Sequence, residues 1–439
     1  MYRANGAGGV LREKVGGWGG VRAAAGIVQA GGDGYRNTAK KRSEEMTQPV
    51  RVLHIITRIA NGGAEENTLY TVNGLDKRRF AVDLATGGER EAGSLDRIPL
   101  DPAVRLHQVP ALGRNPDPRR ELRALSQIRA VIRQGRYRIV HTHGAKAGIL
   151  GRAAARREGV AVIINGIHGI TFADTMNPVM RLLYRMLERR VGRYTTAFVS
   201  VGEDIKNKYH AARIGRPEQY RVIYSGMDLS EFHEAARMDE PARQAVRAEL
   251  GLSQDDLVVG TVSRFEPRKG HRYLIEAAAR LADTFPRLRV LLVGDGPIME
   301  EVAALAREAG IADRTVMTGF RTDVARMFAA MDVHVLTSLW EGLPRVLVQA
   351  AAVGRPSVTF ACDGAHEIVD DGMNGFVVEM KNVAQLTDRL RVLLTDPETR
   401  ERMGAAARRK VDDRWDRQEM VRRIENLYED LLRSAEGAR

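Results

Sequence analysis

From Val50 onward, short apolar and β-branched runs alternate with longer stretches of helical spacing. The runs Val50–Thr57, Phe80–Ala85, Val104–Val109, Tyr137–Thr142, Val160–Ile164, Ala197–Val201 and Tyr220–Tyr224 read as buried strands. Helical spacing fills most of the gaps, at Arg119–Gln134, Ala145–Arg157, Pro178–Arg190 and Asp204–Ala212, and runs to Leu75 after the glycine turn Asn61-Gly62-Gly63-Ala64-Glu65. A polar, charged stretch from Ser225 to Leu250 interrupts the pattern, which then restarts. Leu257–Val262, Val290–Val293, Thr315–Met317, Val333–Leu336, Ser357–Phe360 and Gly375–Val378 read as strands. Arg272–Ala282, Ile298–Glu308, Asp323–Ala330, Val346–Val353 and Val383–Leu394 read as helices. Pro397 to Arg433 is helical, broken near Trp415. Alternating strand and helix predict parallel sheets covered on both faces, that is, two Rossmann-like doubly wound α/β domains facing each other across a cleft.

The predicted organisation follows from that pattern. Residues 1–47 form a basic, glycine-rich arm or a misassigned start, with Met46 as a candidate first residue. Residues 48–225 form the first domain, 226–250 a linker and 251–411 the second domain. Residues 412–439 form a C-terminal helix packing back on the first domain.

Within the second domain, the run Ser338 to Pro356 combines a strand end, a turn carrying Glu341, Gly342 and Pro344, and an apolar segment stopped by Gly354. Ligands bind beyond the carboxyl ends of parallel strands, and the N–H groups of the following helix favour anions. A carboxylate at that place suits a sugar hydroxyl or ribose beside a phosphate.

Composition narrows the class. The 439 residues exceed one ordinary core, and 44% hydrophobic with 28% charged residues is globular. No run of apolar residues reaches membrane-spanning length, and the single Cys362 fits a reducing cytosol. The net charge of +12, four of it within residues 1–47, favours anionic partners. Aromatics make up 5%, with no basic-aromatic platform, so nucleic acid is not expected as a partner.

Three loops look phosphate-directed. Ser263-Arg264-Phe265-Glu266-Pro267-Arg268-Lys269-Gly270 follows a strand and opens a helix: Arg264 can fork onto phosphate oxygens while Lys269 supplies a point charge. Gly294-Asp295-Gly296-Pro297 repeats the strand-to-helix position, but neither it nor Gly62-Gly63-Ala64-Glu65 has the dinucleotide-binding spacing, and no P-loop is present. His141-Thr142-His143-Gly144 offers two imidazoles on one strand face without an evident third ligand nearby, so no metal is expected there. No Asp-x-Asp pair occurs, which points away from a metal-held diphosphate. His168-Gly169 lies at a strand end facing the cleft. Pro178–Arg193 is an amphipathic basic stretch suited to the sheet or to a membrane surface.

Taken together, these pieces resemble the retaining GT-B glycosyltransferases of family 4. The matching pieces are Gly62-Gly63-Ala64-Glu65, His141-Thr142-His143-Gly144, His168-Gly169, Val222 to Asp228, Arg264 with Lys269-Gly270, Gly294 to Pro297, Thr318-Gly319-Phe320, Ser338 with Glu341-Gly342, and Gly372 to Gly375. Their common order carries the resemblance, which spans Val50 to the end. It implies sugar transfer from a UDP- or GDP-type nucleotide-sugar to an acceptor hydroxyl, with retention, without metal or other cofactor. It also implies a setting in cell-surface polysaccharide, lipopolysaccharide or glycolipid synthesis.

Carried over by position, Arg264 and Lys269 grip the diphosphate and Glu341 contacts the donor sugar. Ser338, Gly342, Leu343 and Pro344 line its pocket. The base fits near Gly294, Gly296, Gly319 and Phe320. Gly63 lies by the donor phosphate, and His168 on the acceptor side, with Gly62, Glu65, His143 and Gly169. The expected partners are the nucleotide-sugar, a lipid-linked or saccharide acceptor, and the inner membrane face; the expected location is cytoplasmic, peripheral to that membrane.

Two departures stand out. Gln349 sits where the family has a second glutamate assigned to the ribose, and Asp363 to Glu367 lacks a paired glycine near the donor sugar. The alternatives are a nucleotide-sugar epimerase of the same fold and a catalytically silent nucleotide-sugar binding protein.

Overall fold

The computed structural model describes residues 48–60, 62–88, 98–172 and 176–437; the predicted arm at 1–47 and Asn61 lie outside them. Two all-parallel sheets organise the chain. The first contains β1 (Val50–Ile56), β2 (Phe80–Thr86), β3 (Arg105–Gln108), β4 (Ile139–His143), β5 (Val162–Ile167), β6 (Ala197–Ser200) and β7 (Tyr220–Val222), in the order β3-β2-β1-β4-β5-β6-β7. Between them run α1 (Gly63–Gly74), α2 (Pro118–Gly135), α3 (Ala145–Arg157), α4 (Pro178–Gly192) and α5 (Glu203–Ala211).

After α6 (Ser230–Ala235) and α7 (Glu240–Glu249), the second sheet comprises β8 (Leu257–Val262), β9 (Leu288–Val293), β10 (Thr315–Met317), β11 (Val333–Leu336), β12 (Ser357–Phe360) and β13 (Gly375–Val378), in the order β10-β9-β8-β11-β12-β13. Its helices are α8 (His271–Leu281), α9 (Met299–Glu308), α10 (Val324–Ala330), α11 (Arg345–Val353), α12 (Ala365–Ile368), α13 (Val383–Thr395) and α14 (Pro397–Lys410); α15 (Arg417–Gly437) ends the chain. Both orders reverse direction at one point, between β1 and β4 and between β8 and β11. The strand ends beside those two switch points are where an open α/β sheet holds its ligand.

Most of the strands are rich in apolar residues because both faces are covered: β4, β5, β6, β11 and β12 are buried along their whole length. Helix α15 packs on the first sheet through Met420, Val421, Ile424, Leu427 and Tyr428, in one cluster with Val52, Leu69 and Phe80.

The stretch 226–250, expected as a linker, is two helices belonging to the second lobe. Phe232, Ala235 and Val246 are buried against Met327 and Phe328. The charges that gave it a linker's look are paired: Arg247 donates to Asp332 Oδ2 at 2.8 Å and to three carbonyls, and Arg243 reaches Asp332 Oδ1 at 2.6 Å. The chain crosses between lobes in two short passes instead. They are fastened together where Met227 N donates to Trp415 O at 2.8 Å and Arg417 N to Met227 O at 3.2 Å.

Candidate active site

The loop after β8 and the loop after β11 are stitched into one unit. Leu339 N donates to Arg268 O at 2.8 Å, and Thr337 Oγ1 to the carbonyls of Lys269 and Gly270 at 3.1 and 2.9 Å. That brings the predicted Lys269 and Glu341 into contact: Nζ lies 2.5 Å from Oε1, with Arg268 Nη1 3.3 Å from the other oxygen. Glu266 ties in the rest, at 2.9 Å from Arg268 Nε and 3.3 Å from Arg264 Nε. Burial alone would push the Glu341 carboxyl up. The charges of Lys269 and Arg268, with the hydrogen bond from Lys269, outweigh it and hold the group ionised, below its usual range.

Gly294, Gly296 and Gly319 join the same rim. Gly294 N donates to Gly319 O at 3.0 Å and Phe265 N to Asp295 O at 2.6 Å, while Phe320 beside them leaves an aromatic ring 55% exposed. Leu343 and Pro344 are buried beneath the turn. Gln349 is half-buried on α11, one turn beyond Arg345.

The first lobe meets this turn directly. A Cβ on Gly342 would lie 1.8 Å from His168 O, so only glycine lets the Glu341 turn seat against His168 and Gly169. Beside it, Arg345 Nη1 reaches across to Glu66 Oε2 at 2.7 Å and lies against Gly63, next to Gly62 and Glu65 at the start of α1. The segment 363–367 also spans the cleft. Glu367 accepts from the N–H groups of Glu203 and Asp204 at 2.9 and 3.0 Å, at the start of α5, and Gly364 N donates to Asp204 Oδ2 at 2.9 Å. The segment that departs from the family pattern thus makes a contact between the lobes.

Behind His168 the lobe is polar but uncharged. His168 Nε2 is hydrogen-bonded to His143 Nδ1 at 3.0 Å, and His143 Nε2 to His54 Nδ1 at 2.9 Å. Tyr428 Oη links His54 Nε2 at 3.1 Å to His141 Nδ1 at 2.7 Å. Burial holds His54, His141 and His143 well below the usual imidazole range, and burial plus the Arg345 charge lowers His168 to about 4. The third imidazole that the sequence did not supply is His54, directly opposite His141 in the parallel register. Ligand nitrogens of His54, His141 and His143 lie within 4.8 Å of one another, close enough for a metal ion.

Sequence reasoning missed Arg268, Glu266, Arg345, Glu66, His54 and Tyr428. Two carried a signal: a histidine inside an apolar strand, and an arginine at the first position of a helix, where the dipole disfavours it.

Family comparisons agree with this geometry. A model described as "Glycosyl transferases group 1" matches residues 242–410, and one described as "Glycosyl transferase 4-like domain" matches residues 62–226. A "GDP-mannose-dependent alpha-(1-6)-phosphatidylinositol monomannoside mannosyltransferase" of Mycolicibacterium smegmatis is 31% identical over 60% of this chain and 68% of its own length. The chain belongs to the group 1 glycosyl transferases. This glycosyltransferase is also 28% identical to the Escherichia coli "UDP-Gal:alpha-D-GlcNAc-diphosphoundecaprenol alpha-1,3-galactosyltransferase", over 87% of this chain and 97% of the relative. Its two-lobed GT-B fold matches Anabaena Alr3699/HepE, solved with UDP, at a TM-score of 0.72 and 22% identity, over 87% of this chain and 100% of that one.

A larger hollow of about 1260 Å³ lies elsewhere, between Tyr70, Asn73, Phe232 and Arg417. Its lining includes none of Arg264, Lys269, Glu341 and His168, and volume alone does not make it the reaction site. Helix α4 is built inside out. Glu188, its buried polar residue, pairs with Arg152 at 2.6 Å, both fully buried, while Val179, Leu182, Leu183 and Met186 are 44–74% exposed. No helix among the described residues is long and apolar enough to cross a membrane.

Proposed function

We propose that this glycosyltransferase moves a sugar from a UDP- or GDP-type donor, with retention and without metal, to a hydroxyl of a lipid-linked or saccharide acceptor at a membrane surface. The observation that carries it is the cation cluster of Lys269, Arg268 and Arg264 with Glu341, seated at the second sheet's strand ends and facing His168–Gly169. The cations receive the diphosphate and stabilise the charge that grows on it as the glycosidic bond breaks, doing electrostatically what a bound metal does elsewhere. Glu341 is held ionised to accept from donor-sugar hydroxyls. Gln349 and the exposed Phe320 receive the ribose and the base. The acceptor hydroxyl approaches from the His168 side, and the departing phosphate takes its proton on the face it leaves.

Support for the acceptor class comes from two directions: the relatives' names carry diphosphoundecaprenol and phosphatidylinositol acceptors, and the exposed apolar face of α4 is flanked by Arg185, Arg189 and Arg190. The test uses the full chain with UDP- and GDP-sugars and a polyprenyl-diphosphate-sugar acceptor in anionic vesicles, with and without chelator. The expected result is acceptor-dependent nucleotide release, unaffected by chelator, and a product whose anomeric configuration matches the donor's by NMR. An inverted product, or release that needs no acceptor, defeats the reading.

A further inference from the structure

His141, Tyr428, His54, His143 and His168 form a single hydrogen-bonded chain running from the core to the cleft. The first four are at most 2% exposed. Gly166 makes the chain possible, since a Cβ there would lie 2.9, 3.2 and 3.3 Å from ring nitrogens of His143, His168 and His141. Five groups, each with one hydrogen when neutral, share four links, so one hydrogen is left for an end. With every link made, the chain therefore has only two arrangements. Either His141 keeps its hydrogen on the terminal Nε2 and every other group donates toward His141, or His168 keeps it on Nδ1 and every other group donates toward His168.

The far end decides between them. Among the described residues His141 Nε2 is buried without a partner, beside a cavity of about 10 Å³ lined by Asn67, His143 and Gly166. A buried, unpaired N–H is the costlier orphan; a buried lone pair is tolerated more often. The hydrogen then sits at the other end, on His168 Nδ1.

We infer that His143, His54, Tyr428 and His141 are positioning residues that hold His168 in one tautomer, with Nδ1–H presented to the cleft as a donor. The inference rests on reading this cleft as the glycosyl-transfer site, where a fixed donor orients an oxygen of the bound sugar or its phosphate. It also gives α15 a role beyond packing: the hydroxyl at the middle of the chain arrives from the C-terminal helix, which follows the second crossing between the lobes.

The test is histidine-selective ¹⁵N NMR on the full chain at pH 7, with His168 assigned by its loss in His168→Ala. In the parent, His168 is expected as a single Nδ1–H tautomer. Tyr428→Phe removes one oxygen and cuts the chain between His141 and His54. His54 Nε2 then becomes the buried, unpaired end, so the same rule keeps His168 as Nδ1–H, while His141, its acceptor gone, should change from a single Nδ1–H signal to a mixture. Phe80→Leu, which alters the ring packed edge-on at 5.7 Å against Tyr428, is the control. It should lower Tm while leaving the tautomer and kcat as they were.

A mixed or Nε2–H tautomer at His168 in the parent overturns the inference, as does an unchanged His141 signal in Tyr428→Phe. One equivalent of divalent metal in the purified chain, lost on His54→Ala, also overturns it, because the trio would then be an ion site. The spectra need no turnover, so loss of the transferase reading would leave this result standing on its own.

Discussion

The strand ends of the two sheets carry opposite kinds of polar cluster. In the second lobe, Lys269, Arg268, Arg264, Glu341 and Glu266 are charged and paired within two neighbouring loops. In the first, four imidazoles and a phenol are linked without net charge, three of the rings and the phenol fully enclosed. A charged cluster stays solvated at its rim and can exchange a partner for a phosphate. A neutral chain cannot receive charge cheaply in an enclosed site, but it can fix which end donates a hydrogen. Under the proposed function the difference divides the work: one lobe would answer the charge of the leaving group, and the other would set direction beside the acceptor.

The largest effect expected from that contrast is on acid stability. Burial, with neighbouring charge for some, lowers the pKa of His54, His141, His143 and His168 in the first lobe. In the second lobe it lowers His271 to about 4 and His334 to about 3. Each folded value lies below the unfolded one near 6.5, so the unfolded chain takes up the extra protons. Stability is complete above pH 6.5 and falls below it, by about 1.4 kcal/mol per histidine per pH unit. Glu341 also has a lowered value, but its contribution is lost only when pH falls below the ordinary carboxylate range. From pH 7 to 5.5, Tm should drop on the order of 10 °C. Hydrogen exchange should show the first sheet losing protection ahead of the second. Equal loss in both lobes would show that the histidine chain is not the weak point.

Next in size is Lys269→Ala. It leaves Glu341, whose side chain is 10% exposed, with Arg268 alone at 3.3 Å. Removing one preorganised group from a developing oxyanion typically lowers turnover by about 10²–10³. That fall is expected in kcat with Tm measured alongside, and with the His168 spectrum unchanged. Turnover within threefold of the parent would remove Lys269 from the chemistry.

The contrast also explains what was legible in the sequence. The charged cluster is local: Arg264 to Gly270 and Ser338 to Pro344 are single loops at strand ends, so motif spacing found most of it. It missed Arg268 because Lys269 beside it already fitted the pattern. The two parallel sheets were legible too, since each buried strand is a short apolar run. The histidine chain was not, because β1, β4, the loop after β5 and α15 supply its members, and His54 bonds Tyr428 374 residues away. Periodicity marked α4 as amphipathic but could not show which face turns outward. That was settled by Glu188, buried against Arg152 on α3. In the same way Arg243 and Arg247 suggested an exposed linker until Asp332 was found beneath them.

The smallest expected effect concerns Gln349, where the family pattern has a glutamate. A carboxylate there would accept hydrogen bonds from the ribose with its charge, and a charge-assisted bond is stronger than a neutral one by about 0.5–1.5 kcal/mol. Against this, the carboxylate introduced by Gln349→Glu would stand one helical turn from Arg345 and compete for it with Glu66, which holds it at 2.7 Å across the cleft. Such a pair on a helix is worth only about 0.2–0.5 kcal/mol, and the order of Arg before Glu is the weaker one. The ribose term is the larger. Gln349→Glu should therefore lower the donor KM by about three- to fivefold, with kcat within twofold, in steady-state assays at saturating acceptor. A raised KM would mean that Arg345 had moved and that the pairing across the cleft, not the ribose contact, governs donor binding. The native glutamine would then be what leaves Arg345 to Glu66 and keeps the lobes fastened beside Gly63.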